Sequence, residues 1–329
     1  MNVMYTCDNN YVWLMGISMI SLFESNRDDI ANLKVYLIGN EISQSNKDKL
    51  SDIANKYDRE IEIIDTPELN IPSSLTSSRW PSSAFTRLFA GKILSQKVKK
   101  ILYLDCDTII SGSISDLGKI DFGDKIILGV RDCVSGIYKE NIGLKKDSIY
   151  INAGVIFFDL SKLREIDIAS EMTKYVEKYE KNINYADQDI LNGFLKGKIG
   201  ELDPKYNVMT INAINTYQDI IRLRRPTNYY CEKELESAKS NPLIIHYTTN
   251  MLIVRPWFKN TNHPFASAFK KNMMISPWKD IELSKMIFKS KESLIISLIS
   301  ILPKKISYSI LGLIHAKLKP LYIRNFMRK

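Results

Sequence analysis

The first 160 residues alternate short, β-branched apolar runs with segments whose apolar residues recur at helical spacing. This alternation predicts an α/β domain with a largely parallel sheet. The predicted strands are 3–7, 33–38, 60–64, 100–104, 125–130 and 155–158. The predicted helices are 16–24, 43–56, 79–93, 162–179 and 187–195, followed by a last strand-like run at 242–247. In such sheets ligands bind beyond the carboxyl ends of the strands, so we expect the residues after strands 3–7 and 100–104 to line one site.

A different pattern covers the C-terminal residues 284–329. In 292–304 serines recur on one helical face and aliphatic residues on the other. After Pro303 a second helix is predicted, with aliphatic residues set among lysines. Basic amphipathic helices of this kind lie in the membrane interface. The alternative is a helical cap packed on the body, and a nucleic-acid-binding tail is disfavoured because aliphatic residues, not stacking aromatics, separate the charges.

The charge of the chain agrees with this division. The 329 residues carry a net charge of +9, and 284–329 alone hold ten Lys or Arg against one acid, Glu292. The remainder has 36 basic and 36 acidic residues and is therefore neutral. Hydrophobic residues make up 45% of the chain, typical of a globular protein, and no apolar run is long enough to span a membrane. Neither a signal peptide nor a paired cysteine motif is present, so we expect a cytosolic protein whose four cysteines are reduced and buried.

The turn after the first strand is acidic. Thr6-Cys7-Asp8-Asn9-Asn10 lacks the glycines of a dinucleotide-binding turn, and the chain has no P-loop motif. The side chains of this turn could bind a base or a ribose. Alternatively, Asp8 caps the following helix.

Two carboxylates, Asp105 and Asp107, follow the apolar run 101–104. A pair of carboxylates at a strand end suits Mg²⁺ or Mn²⁺ and leaves coordination positions free for a diphosphate. His246 ends another apolar run and could supply a third ligand, which would favour Mn²⁺. The same residues, read as Asp105-x-Asp107-Thr108, also match the nucleophile loop of haloacid-dehalogenase-type phosphatases. In those enzymes the motif follows the first strand, whereas here three strands precede it.

Two further segments carry short polar side chains next to buried elements. Asn152-Ala153-Gly154 enters a strand, and 187–192 reads Asp-Gln-Asp-Ile-Leu-Asn. In isolation they indicate a turn and a helix cap.

Taken in order, these segments resemble glycosyltransferase family 8, the retaining, metal-dependent transferases that include bacterial lipopolysaccharide galactosyl- and glucosyltransferases and glycogenin. The resemblance rests on Asp8-Asn9-Asn10-Tyr11, Thr86-Arg87-Leu88, 103–107, Asn152-Ala153-Gly154, 187–192 and His246-Tyr247. It implies an α/β GT-A fold with a Rossmann-like, mostly parallel sheet and flanking helices. The domains expected are a catalytic domain over 1–260, a linker or helical extension over 261–283 and the basic amphipathic tail over 284–329.

The resemblance also implies roles for individual residues. Asp105, Asp107 and His246 are expected to hold Mn²⁺, or Mg²⁺, on the diphosphate of a UDP-sugar. The uridine is expected to contact Thr6, Asp8 and Asn10. The residues expected around the donor sugar are Arg87, Asp132, Asn152, Ala153, Asp187 and Gln188. The expected catalytic group is Asp187, Gln188 and Asp189, with Gln188 beneath the anomeric carbon.

The loop after His246 departs from the family pattern. Thr249 and Leu252 stand where the family has a glycine and a lysine that contact phosphate, and Arg255-Pro256-Trp257 comes three residues late. Arg255 is therefore expected to replace that lysine.

The resulting hypothesis is a hexosyltransferase that moves galactose or glucose from a UDP-sugar to a glycan or lipid-linked glycan, in lipopolysaccharide or another surface polysaccharide. It is expected in the cytoplasm, held peripherally on the anionic inner face of the cell membrane by its tail, with no nucleic-acid partner. The alternatives are a phosphatase with Asp105 as nucleophile, and a membrane-binding module whose transferase domain is inactive.

Overall fold

The described residues form two β-sheets surrounded by helices. The structure, a computed structural model, describes residues 1–69, 71, 82–287 and 302–326. The strands described are β1 Asn2–Asp8, β2 Lys34–Asn40, β3 Glu60–Asp65, β4 Lys100–Leu104, β5 Thr108–Ile110, β6 Ile127–Arg131, β7 Ile151–Asp159, β8 Ile199–Glu201, β9 Val208–Met209 and β10 Ile244–His246.

The larger sheet has seven strands in the order β3-β2-β1-β4-β7-β6-β8. The pairs β2–β3, β1–β2, β1–β4 and β6–β8 are parallel, while β7 runs antiparallel to both β4 and β6. Alternate residues of each strand enter separate apolar clusters, as Val3 and Tyr5 on one face and Met4 on the other show. Both faces of the sheet are therefore covered, and the expectation of a mostly parallel α/β fold is confirmed.

The smaller sheet, in the order β5-β10-β9, lies beside the carboxyl end of β4. Strand β5 begins directly after Asp107, and His246 in β10 pairs with Thr108. The chain therefore passes from one sheet to the other through the acidic pair. This crossing brings the end of β10 to the end of β4.

The helices described are α1 Val12–Ser25, α2 Gln44–Lys56, α3 Ala90–Ile93, α4 Gly136–Asn141, α5 Leu160–Leu163, α6 Ile168–Tyr179, α7 Ala186–Phe194, α8 Thr210–Ile214, α9 Tyr217–Arg224, α10 Glu232–Ser240, α11 Ala266–Met274, α12 Lys304–Leu313 and α13 Lys319–Phe326. Single 3₁₀ turns or short 3₁₀ helices cover Ser82–Phe89, Ser115–Lys119, Glu180–Asn182 and Pro204–Tyr206, and a π-helix covers Ile314–Leu318.

Two helix predictions were wrong, one in the type of helix and one in its continuity. The helix expected over 79–93 is a 3₁₀ helix up to Phe89 and only then α-helical, and its first residues, 79–81, lie outside the described part of the chain. The helix expected over 162–179 is interrupted, because the Asp167 side chain accepts a hydrogen bond from the backbone N–H of Ser170 and starts a new helix.

The described part of the tail packs on the body. Helix α12 lies on α9, where the Tyr308 hydroxyl donates to Asn215 Oδ1 at 3.0 Å and Lys304 Nζ lies 2.7 Å from Asp219 Oδ2. Gly312 lies so close to α9 that a Cβ atom would stand 1.9 Å from the carbonyl oxygen of Arg222. Near α13, Asn141 Nδ2 donates to the Pro320 carbonyl at 2.8 Å.

Most aliphatic residues of α12 and of the π-helix face away from the body. The exposed ones are Leu302, Ile306, Ile310, Leu313, Ile314 and Leu318. The docking face is instead formed by Ser307, Tyr308, Gly312 and Ala316. The tail is thus a packed helical cap that also presents an apolar face, while the helix predicted over 292–304 lies almost entirely outside the described residues.

Across the described ranges, no helix has the length and hydropathy of a membrane span. The four cysteines are free. Cys7 and Cys133 are buried as expected, but Cys106 is partly exposed and Cys231 is exposed, so the expectation of burial was wrong for these two.

Candidate active site

Three side chains from the junction of the two sheets form a cluster with the geometry of a cation site. Potential ligand atoms of Asp105, Asp107 and His246 all lie within 4.8 Å of one another. His246 Nε2 is 3.2 Å from Asp107 Oδ1 and 3.7 Å from Asp105 Oδ2. The ring of His246 is buried, whereas both carboxylates are partly exposed. A cation could therefore reach the cluster from the solvent side.

Asn207 orients the imidazole of His246. Asn207 Oδ1 lies 3.0 Å from His246 Nδ1, and this amide oxygen can only accept a hydrogen bond. The Nδ1 atom therefore carries the proton, and Nε2 presents its lone pair toward the two carboxylates. Metal-bound histidines are oriented in this way in many proteins.

The electrostatics of the cluster also fit a cation. Burial alone would lower the pKa of His246, but Asp107 and Asp105 raise it above its ordinary value. Burial would raise the pKa of Asp107, yet His246 and Arg255 lower it. The cluster thus favours positive charge at its centre, where a divalent ion can replace the proton.

Gly154 leaves the space that the cluster needs. A Cβ atom on this residue would stand 2.1 Å from His246 Cε1 and 2.9 Å from Asp105 Oδ2. Any larger residue would displace two of the three potential ligands. The residues present therefore fit a Mn²⁺ or Mg²⁺ ion, with two carboxylate oxygens and one imidazole nitrogen as donors.

Arg87 connects the cluster to the next group of predicted residues. Its Nη1 atom donates to Asp105 Oδ1 at 2.9 Å and to the Ala153 carbonyl at 2.8 Å. The guanidinium also lies 4.2 Å from the ring centroid of Tyr103. Burial would lower the pKa of Arg87, but its acidic neighbours raise it, so Arg87 is a fixed cation.

Asp187 has hydrogen-bonding capacity that the protein does not use. Its Oδ2 atom is 3.1 Å from Arg87 Nε, but the pair lacks hydrogen-bond geometry, and neither of these buried atoms has a hydrogen-bond partner. Burial raises the pKa of Asp187 to about 6, although Arg87 opposes the shift. Buried polar atoms without a hydrogen-bond partner are rare, so Asp187 Oδ2 has an acceptor position that a ligand could use.

A chain of hydrogen bonds runs from His246 to Gln188. Asn207 Nδ2 donates to Asn152 Oδ1 at 2.9 Å, and Asn152 Nδ2 donates to Gln188 Oε1 at 3.0 Å. Gln188 Nε2 donates to Asp132 Oδ2 at 3.1 Å. The amide of Gln188 is therefore held in one orientation at a fixed place relative to the cluster.

The turn into helix α7 places Asp187 and Gln188. Ala186 has a φ of 43°, a left-handed conformation that costs a residue with a Cβ atom roughly 1 kcal/mol. Tyr185 is the N-cap residue and Asp187 lies inside the helix, so the interpretation of Asp187 as a cap was wrong.

Asp189 differs from the other residues expected in the catalytic group. It is fully buried, and it accepts hydrogen bonds from the hydroxyls of Tyr138 and Tyr150 and from the backbone N–H groups of Asn184 and Tyr185. A carboxylate with these four donors has no face left for a sugar. This geometry is that of a positioning residue, which secures the turn before Gln188.

The three residues expected to contact uridine lie at the end of β1. Thr6 Oγ1 is 3.3 Å from the Tyr103 hydroxyl, which itself donates to Asp105. Asp8 Oδ1 accepts from the backbone N–H of Asn10 at 2.9 Å and makes no cap of α1, whose N-cap is Tyr11. The alternative of Asp8 as a helix cap was wrong, and the end of β1 lies beside the cluster.

Arg255 also reaches the cluster. Its Nη1 atom is 3.8 Å from Asp107 Oδ2, and its guanidinium lies 4.6 Å from the Trp257 ring centroid. The three-residue displacement of Arg255-Pro256-Trp257 therefore does not carry this cation away from the site.

A cavity of about 240 Å³, called here the polar cavity, adjoins the hydrogen-bonded chain. Asp132, Asn152 and Gln188 line it, as expected for residues around a donor sugar. Sequence reasoning missed Tyr185 and Arg224, which also line it, and Asn207, which orients His246. The only sequence signal for Asn207 is its position directly before the apolar pair Val208-Met209.

Comparison with known proteins agrees with this architecture. The model of glycosyl transferase family 8 matches residues 2–261. The lipopolysaccharide 1,2-glucosyltransferase of Escherichia coli K12 is 27% identical over 294 residues, covering 85% of this chain and 79% of that protein. General stress protein A of Bacillus subtilis is 24% identical over 284 residues, covering 85% of this chain and 96% of that protein. Among solved structures, galactosyltransferase LgtC in complex with donor and acceptor sugar analogs superposes with a TM-score of 0.69 at 23% identity, covering 84% of this chain and 96% of that one.

Proposed function

The chain belongs to glycosyltransferase family 8 and is a retaining glycosyltransferase, and from this premise we propose that it moves galactose or glucose from a UDP-sugar to a surface glycan in a metal-dependent reaction. The observation that carries the proposal is the cluster of Asp105, Asp107 and His246 beside the fixed amide of Gln188. The relatives include lipopolysaccharide glucosyl- and galactosyltransferases, which supports a hexose donor and an acceptor of the lipopolysaccharide class.

The chemistry follows from where these groups stand. Asp105, Asp107 and His246 would hold the ion, which supplies positive charge for the departing diphosphate. Thr6, Asp8 and Asn10 bind the uridine at the end of β1. Arg87 holds Asp105 in place, and Asp187 Oδ2 accepts a hydrogen bond from a donor-sugar hydroxyl.

Gln188 lies beneath the anomeric carbon, where its dipole stabilises the oxocarbenium-like transition state. The acceptor hydroxyl attacks the anomeric carbon on the face from which the diphosphate leaves, and its proton passes to an oxygen of that diphosphate. The configuration of the anomeric carbon is therefore retained.

The two alternative functions are less well supported. A phosphatase needs a free Asp105 nucleophile, whereas Asp105 Oδ1 accepts hydrogen bonds from Arg87 at 2.9 Å and from Tyr103 at 2.5 Å. An inactive module would not need the potential ligands and Gln188 to be held by one continuous set of hydrogen bonds.

The tail supports a peripheral attachment to an anionic membrane surface on the cytoplasmic side. Most aliphatic residues of α12 and of the π-helix face away from the body, and ten Lys or Arg lie within 284–329. Each basic residue near such a surface contributes roughly 1 kcal/mol. We therefore propose three parts of the chain: a catalytic domain over 1–260, an extension over 261–283 and a membrane-associating tail over 284–329.

Release of UDP from UDP-galactose or UDP-glucose, by hydrolysis without acceptor, tests the metal-dependent transferase. We expect release with Mn²⁺, none in EDTA, and a loss of at least about 100-fold in Asp107→Ala, because loss of a residue that merely supports a ligand already costs 10- to 100-fold. The control is Asp28→Ala, which removes an exposed carboxylate far from the cluster. Unchanged UDP release in EDTA or in Asp107→Ala would contradict the proposal.

A further inference from the structure

A second cavity, of about 180 Å³, lies between the body and the tail. One wall is the end of α9, with Leu223 and Arg224, and another is the loop 249–252. The third wall belongs to the tail and consists of Tyr308, Leu311 and His315. We call this space the tail cavity.

The tail cavity adjoins the polar cavity. Arg224, Thr249 and Asn250 line both spaces. Gln188 and Asp132 lie on the far side of this shared border. A molecule that reaches Gln188 along the loop 249–252 therefore has its other end against the tail.

The lining of the tail cavity suits a saccharide. Asn250 and His315 offer polar atoms, and the rings of Tyr308 and His315 offer aromatic edges beside the aliphatic Leu311. The amide of Asn215 is already hydrogen-bonded to the Tyr308 hydroxyl and to the Ile211 carbonyl. Sugars present both hydroxyl groups and apolar C–H faces, so a site with a few polar groups among apolar and aromatic ones is complementary to them. A lipid chain is better matched by the aliphatic outer face of the tail.

Arg224 at the shared border has hydrogen-bonding capacity left over. Its guanidinium interacts with the Tyr185 hydroxyl, but its buried Nε atom has no hydrogen-bond partner. Arg224 and His315 also face a narrow cleft of about 40 Å³ beside Tyr185. The Nε atom of Arg224 is therefore a donor that a ligand at this border could use.

The backbone of the tail changes at this place. His315 belongs to the π-helix Ile314–Leu318, which separates α12 from α13. Such π segments are rare and frequently mark functional sites. Here the segment packs against α9, the helix that ends at Arg224.

We propose that the tail cavity binds the saccharide unit next to the one that accepts the transferred hexose, so that the acceptor is at least a disaccharide. The proposal rests on the proposed function and names the substrate class of the same site. The tail then has two functions on opposite faces, because Leu311 and His315 contact the acceptor while Ile310 and Ile314 face away.

The experiment measures UDP release from UDP-galactose and UDP-glucose with Mn²⁺ while one saccharide at a time is titrated. The probes are methyl β-galactoside and methyl β-glucoside as monosaccharides, and methyl β-lactoside and methyl β-maltoside as disaccharides. An occupied acceptor site changes UDP release, either by accepting the hexose or by excluding water. We expect at least one disaccharide to act at a concentration ten or more times lower than both monosaccharides (roughly 1.4 kcal/mol).

The variant Leu311→Trp fills the tail cavity, and we expect it to remove this preference for disaccharides. Ser309→Trp places the same bulk at an exposed position of the same helix and should keep the preference. His315→Ala is a second variant, at an exposed residue, and should weaken the preference at least threefold.

The outcomes separate the two proposals. If no sample releases UDP, the proposed function fails and the subsite falls with it. If UDP is released but disaccharides act no better than monosaccharides, or no saccharide acts, the subsite is wrong and the transferase stands. An equal preference for disaccharides in Leu311→Trp, His315→Ala and the unchanged protein would likewise overturn the subsite.

Discussion

Gln188 owes its fixed place to hydrogen bonds made by four neighbours. Its Oε1 accepts from Asn152 Nδ2 and from the backbone N–H of Ala153, while its Nε2 donates to Asp132 and to the Tyr150 hydroxyl. An amide held in this way needs no reorganisation when charge develops near it.

Gln188→Ala should therefore lower kcat by about 100-fold while changing the dissociation constant of the UDP-sugar much less. Steady-state UDP release and calorimetric titration of the UDP-sugar measure the two quantities. Gln96→Ala, at an exposed position, is the control. Weaker donor binding with unchanged kcat would make Gln188 a binding residue only.

Asp187 predicts a specific pH dependence. Because burial raises its pKa to about 6, the carboxylate becomes protonated as the pH falls through 6 and can no longer accept a hydrogen bond from the donor sugar. We expect kcat/KM for UDP release to fall below pH 6, and Asp187→Asn to have a lower plateau without this acid limb.

The effect of Asp187 on stability has the opposite sign. The folded protein binds the proton more tightly than the unfolded chain, so Asp187 lowers the free energy of unfolding as the pH rises from about 4 to 6. Urea titrations of the protein and of Asp187→Asn over this range measure the difference. Identical pH dependence in both would show that the pKa of Asp187 is not raised.

Whether a site residue could be predicted depended on the secondary-structure element in which it lies. Asp105, Asp107 and His246 follow apolar runs, so their convergence at strand ends was readable from the sequence. Asn207 and Arg224 lie in short, irregular connections or at a helix end. Their partners are far along the chain, and only the folded structure brings them together.

At the scale of elements, strands were easier to predict than helices. The buried strand β4 is a continuous apolar run, and its predicted bounds of 100–104 were right. Strand β7 begins at Ile151, four residues before the predicted 155, because Asn152 and Gly154 lie inside the strand. The interpretation of Asn152 as a turn residue was therefore wrong. The two wrong helix predictions, over 79–93 and 162–179, differ from the structure because of local features. These are a 3₁₀ helix at Ser82–Phe89 and a helix cap at Asp167, which apolar periodicity does not encode.

The tail shows that an apolar stripe does not always predict which face of a helix docks on the body. Its apolar stripe indicates either a membrane-facing surface or a face packed on the body, whereas the face that docks on α9 contains Ser307, Gly312 and Ala316. Small residues allow the two backbones to approach closely, and Gly312 against the Arg222 carbonyl is the closest point. Close packing of small side chains, rather than burial of the aliphatic stripe, therefore determines which face of α12 docks.

Gly312→Ala tests this contact. On helix propensity alone the change would stabilise α12 by about 1 kcal/mol. The clash with Arg222 should outweigh this gain and separate the tail from α9, so that backbone amides of 304–326 exchange faster with deuterium. Gly118→Ala is the matched control, since no atom lies within 4 Å of its added Cβ. Unchanged exchange in Gly312→Ala would mean that α9 yields without releasing the tail.

At the scale of the whole molecule, the outward aliphatic face of the tail can be tested without disturbing its docked face. Ile310→Ser combined with Ile314→Ser removes two exposed side chains and leaves Tyr308 and Gly312 in place. Burying one such side chain in an apolar environment is worth about 1.5 kcal/mol or more. We expect sedimentation with vesicles of phosphatidylglycerol and phosphatidylethanolamine to weaken at least about 30-fold.

Met274→Ser combined with Ile275→Ser removes two exposed apolar residues elsewhere and should bind the vesicles as the unchanged protein does. Binding of the unchanged protein should also fall as NaCl is raised, because the Debye length is only about 10 Å at 0.1 M salt. Salt-independent binding, or equal losses in both double variants, would contradict attachment through the tail.

The position of the tail cavity in the chain has a consequence during synthesis. Every wall of the polar cavity comes from residues up to Asn250, whereas Tyr308, Leu311 and His315 leave the ribosome later. A nascent chain can therefore complete the cation cluster and the donor side while the acceptor side still lacks one wall. Translation would then impose an order of assembly. The enzyme would be able to bind and hydrolyse a nucleotide sugar before it can select its acceptor.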